Sequence, residues 1–293
     1  MKKLVILALG GDARTVYMCS ELAKDHTVYA YGTVSEPAGA VSLKDLSDLT
    51  EKVDILILPM SFGLTETAYD KTVSFGRGAV SAEILFGCLK DNALILGGRT
   101  EKALIDLIES NGLMYTDYLK IRSLVIKNAI PTAEGALQIV MEQSPETVFG
   151  SRVLITGFGT VAKATAKLFA AAGAKVCCAV RRREAAAETE AYGYESADIS
   201  KLAEIISRYD VIINTVPALI LERPVLENAD RKTVIVDLAS APGGTDFKAA
   251  DELGIKAVHA LALPGKVAPA AAGRYLAEAA EEIISERGVR NVT

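Results

Sequence analysis

Three small residues at fixed spacing, Gly157, Gly159 and Ala162, stand where the apolar run 152–156 gives way to a helical pattern at about 160–172. In such a GxGxxA turn, the first glycine allows a tight bend and the second lets the backbone approach a ligand. The third small residue keeps the helix close to its strand, and the helix N-terminus adds free N–H groups and a positive dipole end. This context predicts a dinucleotide site, with an empty Rossmann turn as the alternative. The residues expected to hold the pyrophosphate are Gly157, Phe158, Gly159, Thr160 and Val161.

The end of the next apolar run, 175–180, predicts which dinucleotide is bound. An NAD site usually carries an acidic residue about 20 residues beyond the glycines, where it bonds the ribose 2′-hydroxyl. Here Val180 is followed by Arg181, Arg182 and Arg183. Guanidinium groups suit a 2′-phosphate. We therefore expect NADP, bound by Arg181 and Arg182; the alternative is a solvated basic start of a helix.

Two later strand-end loops carry residues that are expected to bind the cofactor, and the first of them, 214–217, is the loop that commonly lies beside the nicotinamide half in Rossmann folds. The apolar runs 210–214 and 233–238 read as strands, and a glycine-rich turn follows the second. Asp237 closes that second run, where it either contacts ligands or only satisfies backbone amides. The residues expected to bind the cofactor here are Asn214, Thr215, Val216, Pro217, Asp237 and Ser240.

In the first half, the apolar runs 3–9, 26–31, 54–58 and 93–96 alternate with helix-patterned segments, one of which is a short helix predicted at 43–51. Such alternation is typical of a parallel sheet. With the second half, it predicts an α/β fold of two Rossmann-like domains with parallel sheets, linked by helices across a central cleft. The expected domains are a substrate or partner domain at 1–127, with the closing helix at about 269–293 packed back on it, and an NADP-binding domain at 128–268.

Ligands of parallel sheets bind at the carboxyl ends of the strands. The loops at those ends carry Arg14, Ser61 and Arg99. Because a guanidinium binds a carboxylate bidentately, these residues predict a carboxylate substrate. We also expect Asn128, Thr132 and Glu134, on a helix from 128 to about 143, to face the cleft; alternatively, Thr132 is only an N-terminal cap.

Composition excludes several functions. Half of the 293 residues are hydrophobic, and the net charge of −5 argues against non-specific nucleic-acid binding. No run approaches the roughly 20 apolar residues that span a bilayer, so no membrane association is expected. Four cysteines without metal spacing and two histidines predict no metal site.

Five segments together resemble the family of dipicolinate synthase A subunits. They are NAIPTAEGAL (128–137), VLITGFGTVAKATAKLFAAAGAKV (153–176), VIINTVPALIL (211–221), VIVDLASAPGGTDF (234–247) and LALPGKVAP (261–269). The resemblance implies NADP-dependent oxidation, an aromatisation, of dihydrodipicolinate to dipicolinate. It also implies a flavoprotein-like partner, the B subunit of dipicolinate synthase, and a location in the cytoplasm of the mother cell during sporulation.

Removal of a ring proton needs a base, and the candidates are Glu134, then Lys266 and Asp237. We also expect a homo-oligomer. Two alternatives stay open: another NADP-dependent dehydrogenase of a small carboxylate, and a non-catalytic NADP-binding scaffold whose partner performs the chemistry.

Overall fold

Parallel strand pairing organises both halves of the chain. In the computed structural model, which describes residues 3–59, 63–66, 71–75 and 78–287, one unit comprises Met1–Lys127 with Ala268–Thr293 and the other comprises Asn128–Val267. Each unit contains a six-stranded sheet with parallel neighbours. The prediction of two Rossmann-like domains is therefore confirmed.

The strands in chain order are β1 (Val5–Leu9), β2 (Thr27–Tyr31), β3 (Val41–Leu43), β4 (Val53–Ile57), β5 (Gly63–Glu66), β6 (Lys71–Phe75), β7 (Gly78–Ser81), β8 (Leu89–Gly97), β9 (Met114–Asp117), β10 (Arg152–Thr156), β11 (Lys175–Val180), β12 (Glu195–Asp198), β13 (Val211–Asn214), β14 (Val234–Asp237) and β15 (Lys256–His259). The α-helices are α1 (Ala13–Leu22), α2 (Ala82–Gly87), α3 (Lys102–Ser110), α4 (Arg122–Gln143), α5 (Thr160–Ala171), α6 (Arg183–Ala191), α7 (Leu202–Ile205), α8 (Arg223–Leu226), α9 (Phe247–Leu253), α10 (Leu263–Val267) and α11 (Pro269–Glu286).

The first sheet has the order β3-β2-β1-β4-β8-β9. Its central strand β1 is buried along its whole length because both faces of the sheet are covered. Ile6 and Ala8 face α1 and the C-terminal helix α11, whereas Leu7 and Leu9 face the opposite core. Gly273 of α11 permits close packing on α1, since a Cβ atom there would lie 2.6 Å from the carbonyl oxygen of Arg14.

A small antiparallel sheet, β5-β6-β7, follows β4 in the chain and was not predicted. Val73 and Phe75 alternate inward along β6 and join the core of the first sheet. The Phe75 ring lies against Gly10 and Gly32, where a Cβ atom would be only 2.8 Å and 2.6 Å from it. The glycines after β1 and β2 therefore make room for this ring.

The second sheet has the order β12-β11-β10-β13-β14-β15. From β10, the chain first builds outward through β11 and β12 and then crosses to β13 on the other side. Such a reversal is a topological switch point, where ligands of doubly wound sheets bind. It lies beside the carboxyl end of β10, which carries the glycine turn.

Two helix predictions need correction. Residues 43–51 were expected to form a helix but contain the end of β3 and a 3₁₀ turn, Leu46–Asp48. Helix α4 begins at Arg122 rather than at 128, and Pro131 lies inside it. Sequence favoured the later start because proline is best tolerated in the first turn of a helix.

Within the residues that the structure describes, no helix combines the length and apolar character needed to cross a membrane.

Candidate functional site

The turn after β10 requires glycine at its first position. Gly157 has φ +82°, a left-handed conformation that side chains disfavour. A Cβ atom there would lie 3.1 Å from the hydroxyl of Thr215 and 3.3 Å from Val216. Gly157 thus brings the turn against the loop that follows β13.

The next glycine leaves an open approach to a helix N-terminus. Gly159 caps α5 and has an extended backbone, and a Cβ atom there would meet no protein atom within 4 Å. The first N–H groups of α5 have no acceptor within the helix. Ala162 is fully buried against the sheet. This combination of open space and helix N-terminus fits a dinucleotide pyrophosphate.

The arginine cluster lies at the carboxyl end of β11. Arg182 is the N-cap of α6, and Arg181, Arg182 and Arg183 are all exposed. Their charges therefore face solvent at the rim where the sequence placed a ribose phosphate.

Four neighbouring strands of the second sheet end in a polar residue at the carboxyl edge. The strands β10, β13, β14 and β15 end in Thr156, Asn214, Asp237 and His259, which are register neighbours. The Thr156 hydroxyl donates to Asn214 Oδ1 at 2.6 Å, and Asn214 Nδ2 donates to Asp237 Oδ1 at 2.8 Å. Thr156, Asn214 and Asp237 are completely buried. We refer to these three residues as the polar row.

Asp237 accepts three further hydrogen bonds from the loop that follows it. The Ala239 N–H donates to Oδ1 at 3.0 Å. The Gly244 N–H and the Thr245 hydroxyl each donate to Oδ2 at 2.8 Å. Sequence reasoning missed Thr156, Gly244 and Thr245; a threonine ending an apolar strand beside Asn214 was the available signal.

The ring of His259 has its partners within the second unit. Its Nε2 lies 3.1 Å from the carbonyl oxygen of Ala239, and its ring stacks on Phe247 with 5.1 Å between centroids.

In the first unit, Arg14 is held by a neighbouring carboxylate. Arg14 is 8% exposed, and its Nε and Nη2 donate to the two oxygens of Asp12. Partial burial acts to raise the pKa of Asp12, but the hydrogen bonds and charge of Arg14 outweigh it and lower that pKa.

Arg99 is exposed after β8 and has φ +55°. Ser61 lies outside the described residues.

The α4 candidates do not share one face. Asn128 and Thr132 are one turn apart, and the Thr132 hydroxyl donates to the Asn128 carbonyl at 2.7 Å. Thr132 therefore lies in the helix interior and is not an N-terminal cap. Asn128 Oδ1 is buried and has no hydrogen-bond partner among the described residues. Two residues beyond Thr132, Glu134 points to the other side of α4, where it lines a surface groove with Leu137, Gln138, Met141, Glu142 and Leu168.

Lys266 lies at the carboxyl edge of the second sheet by chain position. It is exposed on α10, which begins shortly after β15 ends. By chain position, α10 therefore starts from the edge of the sheet at which the glycine turn also lies, whereas Glu134 lines the groove beside α4.

Comparisons with known proteins agree with this description. Residues 132–239 match the family described as D-isomer specific 2-hydroxyacid dehydrogenase, NAD binding domain. Residues 5–119 match the family described as the N-terminal domain of the dipicolinate synthase A subunit. Together, the fold and the glycine turn define a dehydrogenase-type oxidoreductase with an NAD(P)-binding domain.

Similarity extends over the whole chain. The dipicolinate synthase A subunit of Bacillus subtilis (strain 168) is 31% identical in an alignment that covers 97% of this chain and 96% of the relative. The crystal structure of the Bacillus halodurans protein of the same name is 30% identical, with a TM-score of 0.84 over 96% of this chain and 98% of that chain. The Bacillus subtilis crystal structure is also 30% identical, with a TM-score of 0.84 over 100% and 99% of the two chains. The chain belongs to the family of dipicolinate synthase A subunits, a name that implies a partner subunit.

The glycine turn gives a direct test of nucleotide binding. We expect Gly159→Ala to weaken NAD(P) binding at least tenfold, because the new methyl group fills the space through which a pyrophosphate approaches. The free energy of unfolding should fall by less than about 1 kcal/mol, the scale of an N-cap change. Calorimetric titration and thermal melting measure the two effects. Gly87→Ala is the control, since its Cβ also meets nothing within 4 Å but lies in α2. Equal NAD(P) affinity in both variants would contradict this placement of the cofactor.

Proposed function

We propose that this chain is the NADP-dependent A subunit of a dipicolinate synthase, which oxidises dihydrodipicolinate to dipicolinate during sporulation together with a second subunit. The observation that carries the proposal is similarity to the Bacillus subtilis A subunit over 97% of the chain. The open glycine turn and the dehydrogenase-type domain support the redox part of the reaction.

Several residues of the second unit hold the cofactor in this proposal. The turn residues Gly157–Val161 surround the pyrophosphate and bind it through the backbone N–H groups that follow Gly157, since the Gly157 N–H itself donates to the Ala179 carbonyl. The residues Asn214–Pro217 at the end of β13, with Asp237 at the end of β14 and Ser240 in the loop after it, border the nicotinamide half. Arg181 and Arg182 bind the 2′-phosphate, which would select NADP over NAD. When bound, the nicotinamide supplies the hydride acceptor.

Substrate recognition is assigned to cationic and polar groups. Dihydrodipicolinate is a dianion and needs positive partners in a site of low dielectric constant. Arg14 uses Nε and Nη2 on Asp12, which leaves the N–H groups of Nη1 to donate to a substrate carboxylate. Arg99 is proposed for the other carboxylate, and Ser61, Asn128 and Thr132 are proposed as polar contacts.

Of the three candidate bases, Asp237 is fully buried and its carboxylate already accepts four hydrogen bonds. The ring proton is therefore proposed to leave to Glu134 or Lys266. Because aromatisation itself favours the product, the protein contributes mainly by orienting the ring and excluding side reactions. Lys266 has the better support from position, since α10 follows β15 at the edge that carries the glycine turn.

The proposal also includes the partner subunit, the oligomeric state and the cellular location of the chain. The B subunit of dipicolinate synthase, a flavoprotein-like protein, is the proposed partner, and the chain is proposed to form a homo-oligomer in the cytoplasm of the mother cell. The support for these statements is the family name and the resemblance of the sequence.

Cofactor selection rests on the arginine cluster. We expect Arg181→Ala combined with Arg182→Ala to raise the Kd for NADP tenfold to a hundredfold, since about 1.5–3 kcal/mol is lost with a charged hydrogen bond. The Kd for NAD should change less than twofold. Arg231→Ala, at another exposed arginine of the same unit, serves as the control. Parallel loss of NADP and NAD binding would contradict a 2′-phosphate contact.

Substrate recognition by Arg14 has its own test. Arg14→Lys keeps the charge but loses the planar guanidinium fork, so we expect KM for dihydrodipicolinate to rise about tenfold. The Kd for NADP should stay unchanged. Steady-state kinetics of the complex with its partner measures KM, with the exposed Arg274→Lys as the control. An unaltered KM would remove Arg14 from the substrate site and favour the scaffold alternative.

The two candidate bases are separated by a pair of substitutions. We expect Lys266→Met to lower kcat by about 10²–10⁴, the usual contribution of a general base. Glu134→Gln should change kcat less than threefold, because Glu134 lies in the groove of α4. The reverse result would assign the base to Glu134, and full activity in both variants would exclude both residues.

A further inference from the structure

We infer that Asp237 is a positioning residue: its buried carboxylate fixes the loops after β13 and β14 in the arrangement that cofactor binding requires, and it takes no part in proton transfer. This inference rests on the proposed binding of NADP to the second unit.

The carboxylate has no capacity left for a substrate. Asp237 is 0% exposed, and each of its oxygens accepts two hydrogen bonds, all between 2.8 and 3.0 Å. A carboxylate has about four acceptor sites, so these bonds saturate it. A base needs a free lone pair within reach of the proton it removes. Asp237 offers none in this arrangement.

The four donors come from two separate parts of the chain. Asn214 Nδ2 lies at the end of β13, directly before one loop. The Ala239 N–H, the Gly244 N–H and the Thr245 hydroxyl lie in the loop after β14. All four donors are uncharged. One carboxylate therefore joins the two loops, and its charge strengthens each bond.

The loop after β13 is aligned through the same polar row. Asn214 Oδ1 accepts from the Val216 N–H as well as from Thr156, and Asn214 Nδ2 also donates to the Val216 carbonyl at 3.1 Å. The Thr215 hydroxyl donates to the Thr156 carbonyl at 2.7 Å. Thr215 and Val216 are the residues that a Cβ atom on Gly157 would meet. The contacts of Asp237 thus extend to the glycine turn.

The two loops also interlock directly. The Gly244 carbonyl accepts from the N–H groups of Ile220 and Leu221 at 3.0 and 2.9 Å. A Cβ atom on Gly244 would lie 2.6 Å from the Val216 carbonyl oxygen and 2.5 Å from that of Ala218. Movement of the Gly244 N–H away from Asp237 would therefore displace the loop that borders the cofactor.

A neutral amide cannot replace this carboxylate. In Asp237→Asn, one side of the side chain becomes an NH₂ group that faces either Asn214 and Ala239 or Gly244 and Thr245. At least one backbone N–H then loses its acceptor. We expect the Kd for NADP to rise about tenfold and amide hydrogen exchange to accelerate in residues 214–221 and 239–246.

The experiment compares Asp237→Asn with Asp246→Asn at a temperature well below both melting transitions. Asp246 belongs to the same loop and caps α9 by accepting from the Ala249 N–H at 2.9 Å. Asparagine caps a helix as well as aspartate does, so the control loses the same charge without losing the bond. Its NADP affinity and hydrogen exchange should match those of the wild type.

Three results would overturn the inference. A fall in kcat of a thousandfold or more with unchanged Kd and unchanged exchange would make Asp237 the base. A lower Tm with unchanged Kd would make it only structural. Unchanged Kd and exchange in a stable variant would show that the carboxylate is not needed. If Asp237→Asn does not fold, Thr245→Val removes a single donor and should still raise Kd twofold to fivefold; no change there would equally contradict the inference.

Failure of the proposed function is recognised separately. A wild-type protein that binds neither NADP nor NAD would contradict NADP binding before any variant is compared.

Discussion

Parallel pairing is the constraint on which the rest of this structure depends. Parallel strands need crossovers that return to the same end of the sheet, and these crossovers cover both faces with helices. All strands of a sheet then end at one edge, and their loops meet there. In the second unit that edge gathers the glycine turn, the arginine cluster and the polar row. In the first unit it gathers Arg14 and Arg99, although they are far apart in sequence.

Concentrating loops at one edge creates a need for hydrogen-bond partners that strands and helices do not supply. A buried loop must satisfy its own backbone groups. The polar row meets this need with side chains at the last positions of neighbouring strands, where equal register brings them side by side. The same need explains why a fully buried aspartate is tolerated: four uncharged donors surround it. The same hydrogen bonds therefore stabilise the fold and hold the loops that border the proposed cofactor site.

The sequence predicted those elements that neighbouring residues determine by themselves. The continuous apolar run of β1 and the glycine spacing after β10 fixed the strand type and the turn, and both agree with the structure. The edge strand β12 was missed because Glu195–Asp198 has little apolar character and forms only by pairing with β11. The same holds for β3, whose pairing with β2 is not encoded locally. In the site, the sequence could propose Asp237 but could not reveal that its carboxylate already accepts four hydrogen bonds. The Gly244 and Thr245 donors are seven and eight residues away along the chain, and only the folded loop brings them to Asp237.

We propose that this chain transfers a hydride from dihydrodipicolinate to NADP. The most direct measurement quantifies NADPH and dipicolinate together under anaerobic conditions, with freshly generated substrate and with the partner present or absent. We predict equal amounts of NADPH and dipicolinate, a preference for NADP over NAD, and dependence on the partner. Dipicolinate formed without matching NADPH would contradict the claim and place the redox chemistry outside this chain.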